Sequence, residues 1–139
     1  MIYLENNNIK LNLVDNKLYL TFLHCNFNNN DYLKVIEKLE SFFSITKKND
    51  NRFYFIIDIS NISMLKIKKI YGYITKCSHF FKKHEKFIEK HLFGTIIIME
   101  NKINKMVFNF FLKLYNPKRP YKIIKKNKNF EDILNDFAF

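Results

Sequence analysis

Near the amino terminus apolar and polar positions alternate. In "IKLNLV" Ile9, Leu11 and Leu13 are separated by Lys10 and Asn12, the period of a strand with one buried face. "IYLE" before it and "KLYLTFL" after it also read as strands, and "DNK" at 15 to 17 supplies a hairpin turn, since Asp and Asn tolerate left-handed backbone. From Tyr32 to Thr46 the apolar positions Tyr32, Ile36, Leu39 and Phe43 recur at helical spacing, which predicts a helix with Asn30 or Asp31 as its cap. "KKNDN" breaks it. Phe53 to Ile57 is apolar without alternation, as in a central strand covered on both faces.

Ile67, Ile70, Ile74, Cys77 and Phe81 share one face of a second helix, which continues or restarts through the basic "FFKKHEKFIEKHLF". "TIIIME" reads as a second buried strand. In "NKINKMVFNFFLKLYN" the residues Ile103, Met106, Val107, Phe110, Phe111 and Leu114 form the expected core stripe of a helix, and Pro117 and Pro120 end it. The lysine-bearing "YKIIKK" predicts an edge strand. "NFEDILNDF" closes as a helix, with Asn129 as cap and Asp132 in a box-like position. Helices alternating with strands after an initial hairpin predict one domain over residues 1–139, an α/β sandwich. Its mixed sheet is parallel in the centre and covered by about four helices.

Composition narrows the function classes. The 139 residues are 47% hydrophobic, enough for one core, and include only two Gly. That leaves no Gly-rich phosphate loop and argues against a Rossmann or Walker nucleotide fold. Cys25 and Cys77 read as reduced thiols, because no signal peptide and no apolar run of membrane-spanning length is visible. An intracellular protein, cytoplasmic or peripheral on a membrane, is expected. The formal charge is +11, and all the excess lies in the second half: residues 1 to 65 hold seven Lys/Arg against seven Asp/Glu, residues 66 to 139 seventeen against six. That asymmetry predicts a basic face meeting an anionic partner. Only Arg52 and Arg119 are Arg, the better bidentate reader of phosphate. The abundance of Asn, Lys, Ile and Phe also fits codon bias, so part of the lysine count is compositional.

Candidate chemistry is sparse. His24, His79, His84 and His91 form no His-x-x-x-His pair. Cys77 and His79 are two apart on a helix and so point to different faces. Asp58, Ser60 and Ser63 stand at the carboxyl end of a central strand, where open α/β sheets place ligand loops. The same residues can simply satisfy loop amides. Phe108, Leu112 and Tyr115 form a second apolar line on the long helix. It reads as a hydrophobic partner face or as a wider core contact. No convergent acid, base and nucleophile can be named, so neither an enzyme nor a cofactor or metal is expected.

A strand ending "DISNIS", a helix, the strand "TIIIME", an amphipathic helix, a last strand and a helix starting "NFEDIL" together resemble the SpoIIAA-like superfold of STAS and CRAL-TRIO (Sec14-like) domains. The STAS resemblance implies a phosphoacceptor serine after the strand. Here Lys66, Ile67 and Lys68 occupy the places of an acid and the serine pair, so the resemblance implies docking without a phosphorylation switch. The CRAL-TRIO branch, which "FLKLYNPKRPYKII" resembles, implies lipid binding, although "MENKIN" departs from the Asn and Pro of that family's junction. The expected function is a non-enzymatic module that docks on an anionic lipid surface or acidic protein through Lys66, Lys68, Lys69, Lys82, Lys83, Lys118, Arg119, Lys122, Lys125 and Lys126. The rival is nucleic-acid binding by the same lysines, and composition alone adds a structural or assembly protein of viral type.

Overall fold

The computed structural model describes residues 1–24, 28–62, 67–126 and 128–137, and the backbone only of 67–70. In chain order the elements are β1 (Ile2–Glu5), β2 (Ile9–Val14), β3 (Lys17–Phe22), α1 (Asn29–Lys48), β4 (Phe53–Asp58), α2 (Ile67–Lys83), α3 (Glu85–His91), β5 (Leu92–Ile98), α4 (Lys102–Leu114), β6 (Tyr121–Ile124) and α5 (Glu131–Leu134). The strands form one sheet in the order β1-β2-β3-β4-β5-β6. The first two pairings are antiparallel and the remaining three parallel. This is the expected α/β sandwich with a mixed sheet.

The β2–β3 hairpin closes with Val14 opposite Lys17, and Asp15 takes the left-handed conformation at φ 55. Each parallel pairing needs a crossover. Crossovers of one hand along a sheet that grows in one direction leave their helices on one face. Strand periodicity then sorts side chains between two cores. Phe53, Phe55 and Ile57 of β4 pack with α1 to α4, whereas Tyr54 and Ile56 turn to a smaller cluster with Ile96, Ile124, Leu134 and Phe137. β4 is covered on both faces, as its unbroken apolar run predicts, but the second cover is α5 and its flanks alone.

Two asparagine boxes fix the helix starts. The cap of α1 is Asn28, not Asn30 or Asp31: its side chain accepts from the Asp31 N–H, and Asp31 accepts from the Asn28 N–H. Asp31 is buried and also accepts from the Asn6 and Asn8 side-chain amides at 2.9 and 3.1 Å, tying the β1–β2 turn to α1. Desolvation alone would raise its pKa, but these hydrogen bonds outweigh it and hold the carboxyl below its ordinary value. Asn101 and Asn104 form the equivalent box on α4. Asn104 is fully buried, accepts from the Glu100 and Asn101 N–H groups and donates to the Ile62 carbonyl at 2.9 Å. Capping contacts of this kind are worth about 1 kcal/mol each. α5 departs from expectation: its cap position is Phe130 without a side-chain bond, while Asn129 accepts from the Glu131 N–H. β5 begins at Leu92, directly after α3 and ahead of the predicted "TIIIME".

Candidate functional site

At the carboxyl ends of the parallel strands, Asp58 accepts from both the Ser60 N–H at 2.9 Å and the Ser60 hydroxyl at 2.6 Å. Ser60 is buried. Asn61 donates to the Phe22 carbonyl and accepts from Lys126 Nζ, whose own backbone N–H donates to Glu100. The corner is thus a closed set of local bonds that hold the loop, in which Asp58 and Ser60 serve one another. Ser63 lies outside the described residues, as do Cys25 and Lys66.

The histidines do not converge. His24 and His79 are exposed. His91 is buried, with Nδ1 2.8 Å from the Asn51 carbonyl and its ring stacked on Phe87. His84 lies against Phe43 and Phe80, and its Nε2 has no hydrogen-bond partner among the described residues. Burial pushes its pKa below the ordinary imidazole value, Glu40 raises it and Lys83 lowers it further. Among the described residues no three His, Cys, Asp or Glu side chains are grouped to hold a metal ion, and no helix is long and apolar enough to cross a membrane.

The predicted basic face divides in two. α2 runs back from the carboxyl ends of the strands to their amino ends, so Lys68 and Lys69 start near one end and Lys82 and Lys83 finish at the other. Lys125 and Lys126 follow β6 and stay with the first group. Lys118 precedes β6 and pairs with Glu85 at 3.2 Å, which places it beside Lys82 and Lys83. Lys83 also approaches Glu40 at 3.8 Å. Lys122 is exposed within edge strand β6. The Arg119 guanidinium donates to the Leu92 and Phe93 carbonyls at 2.9 and 3.1 Å, contacts that tie it to the start of β5.

Helix α4 is rotated relative to expectation. Phe108 and Tyr115, assigned to a partner face, are each only 6% exposed, and Leu112 is half-buried against the same core. Met106, assigned to the core stripe, is 47% exposed. The inward line is Asn104, Val107, Phe108, Phe111 and Tyr115, with spacings of three and four residues that define one helical face. It is headed by a polar residue that is buried for its hydrogen bonds, and that disguises it in the sequence.

Behind this line lies the principal feature of the molecule, a cavity of about 180 Å³ between the helix-bearing face of the sheet and helices α1, α2 and α4. Folded interiors are ordinarily packed as densely as organic crystals, with few voids larger than a water molecule. The walls are overwhelmingly apolar and include Leu20, Phe55, Ile97, Ile74, Val107 and Phe108. Among the described lining residues only Lys118 and Tyr121 are exposed, both beside the amino end of β6. Cys77 lies on the wall, its thiol pushed up to about 12 by burial, which leaves it protonated and unreactive. His79 points away to solvent. Tyr115 packs against Phe81 and Phe111, and its hydroxyl is buried beside the Lys118 backbone. Burial first, then Glu85 and Glu89, raises its pKa, partly offset by the nearby Lys118 backbone N–H. The hydroxyl therefore keeps its proton. No protein-family model matches the chain, nor does any curated protein or solved structure.

Proposed function

We propose that this chain is a non-enzymatic lipid-binding module of SpoIIAA-like, STAS/CRAL-TRIO type, which docks on an anionic membrane and accepts an apolar group into its interior. The observation that carries the reading is the cavity: about 180 Å³ of apolar space, with Lys118 and Tyr121 as the exposed residues of its described lining. An empty apolar void forfeits dispersion contacts on all its walls, a loss that an apolar occupant restores. Charge supports the same orientation. Lys82, Lys83 and Lys118 stand at the end of the sheet where the exposed lining residues lie, so attraction to an anionic surface turns that end toward the lipid. Near a membrane each such lysine is worth about 1 kcal/mol.

Vesicle flotation tests this, with neutral and phosphoinositide-containing liposomes run beside labelled DNA and RNA at several salt concentrations. Binding to acidic vesicles that weakens with salt and with Lys82→Ala/Lys83→Ala, but survives Lys125→Ala/Lys126→Ala, is the expected result. A preference for nucleic acid with a steep salt dependence overturns the reading. Binding to neither overturns it too, and turns the search to an acidic protein.

A further inference from the structure

Strand β6 ends the parallel side of the sheet, and among the described residues no strand lies beyond it. Alternation along a parallel ladder decides which of its backbone groups are free. The Pro120 and Ile124 carbonyls accept from the Thr95 and Met99 N–H groups, so the even-numbered residues turn their peptide groups to β5. Tyr121 and Ile123 turn theirs outward. Both residues are exposed, Ile123 at 49%. Such an edge is a template for one more strand.

The side chains along β6 limit what that strand can carry. Tyr121 meets Phe108 of α4 at 5.4 Å between ring centroids, so Tyr121 and Ile123 lie on the helix-bearing face, and Lys122 lies on the α5 face with buried Ile124. An added strand therefore sets one side chain beside Ile123 and the next beside Lys122. Charge decides the second. Residues 116–128 hold Lys118, Arg119, Lys122, Lys125, Lys126 and Lys128 and no acid. Among the described residues Lys122, Lys125 and Lys128 form no ion pair. Two copies paired through β6 about a central Lys122 would set like charges directly opposite, which destabilises a sheet. Edge lysines thus repel copies of the chain, and the same charges attract a strand that bears acids.

We infer that β6 is a docking edge for an extended peptide segment in which acidic and apolar residues alternate. Its backbone bonds to Tyr121 and Ile123, its apolar side chains lie against Ile123, and its carboxylates meet Lys122 and the lysines that follow β6. Lys82, Lys83 and Lys118, on which membrane docking is argued, take no part.

Hydrogen exchange followed by NMR on the full chain tests this with the end-blocked peptide Glu-Val-Glu-Val-Glu-Val, its Lys-Val counterpart, and a Glu-Val form N-methylated throughout, which cannot complete the ladder. The Glu-Val peptide should slow exchange of the Tyr121 and Ile123 amides several-fold and leave those of Lys122 and Ile124, which face β5, unchanged. Ile123→Pro removes an N–H that β5 does not use, and edge strands tolerate proline. It should weaken the Glu-Val peptide about tenfold, and Lys122→Glu should shift preference toward the Lys-Val peptide. Should Ile123→Pro not fold, the N-methylated peptide makes the same test on the unaltered protein and is expected not to bind. Equal binding of the N-methylated or Lys-Val peptide, binding that leaves the two amides exchanging as before, or no binding overturns the proposal. Tighter binding of a single-stranded DNA oligomer without protection of those amides also overturns it, assigning the lysines to a polyanion. None of these outcomes bears on vesicle binding through Lys82 and Lys83.

Discussion

The two faces of the sheet share β4 and β5 yet are filled differently. On the face covered by α1 to α4 the packing leaves about 180 Å³ of empty apolar space. On the other, Gly94 lies so close to Phe137 that a methyl group at its Cα would stand 2.5 Å from the ring. That smaller cluster also stacks Tyr54 on Phe93 at 4.7 Å between centroids. The emptiness is therefore local. A chain able to pack one side of a strand without room for a methyl has not left the other side open for want of suitable side chains.

The largest effect that could break this comparison comes from Gly94→Ala. Overpacking of a dense core typically costs 1–3 kcal/mol, and a loss of about 2 kcal/mol in urea denaturation is expected here. Phe137→Leu in the same chain should recover part of it by vacating the clash. A neutral Gly94→Ala would show that α5 is loosely held and the contrast spurious. Val107→Ile adds the same methylene-sized increment on the cavity wall. It should change stability by less than about 1 kcal/mol, with a gain expected because volume is available. A loss matching Gly94→Ala would mean the space is not there.

The smallest effect is electrostatic and belongs to the helix side. His84 is neutral in its aromatic surroundings, with its pKa below 6.5 in the fold. The unfolded chain therefore takes up a proton first as the medium is acidified. The contribution of the neutral imidazole is complete above pH 6.5 and falls as pH drops from there toward the folded value. Denaturation midpoints measured at pH 8 and pH 5.5 should show this slope, and His84→Gln should flatten it; an unchanged slope would assign the effect to other groups. The buried carboxylate Asp31 adds a separate loss only below its ordinary value of 3.8, well outside that interval.

Much of the fold was legible because local patterns there had one reading. Ile9, Leu11 and Leu13 alternate over a turn that needs left-handed backbone at Asp15, and only a hairpin satisfies both. Helix α4 was not legible in the same way. Apolar residues occur at most of its positions, so several stripes fit, and the right one includes Asn104, which any apolar count discards. Its burial follows from the Ile62 carbonyl and the Glu100 and Asn101 amides, which come together only in the folded chain. The structural contacts of Arg119 were hidden for a related reason: the two carbonyls its guanidinium binds come from the start of β5. The lysines were counted correctly, but their division between two ends depends on the direction in which α2 runs. As for the cavity, a void is a property of what side chains fail to fill together, and no single stretch of sequence carries it.

The strand order has a consequence for synthesis. Every strand pairs only with its neighbours in chain order, so the sheet can be laid down in the order in which the chain leaves the ribosome, each parallel pairing waiting for the helical crossover before it. The face sealed by α5 is the exception. Until Leu134 and Phe137 arrive, Ile56 and Ile96 stand uncovered on a finished β4–β5 pair, and the nascent molecule is most exposed to aggregation just before its last helix docks.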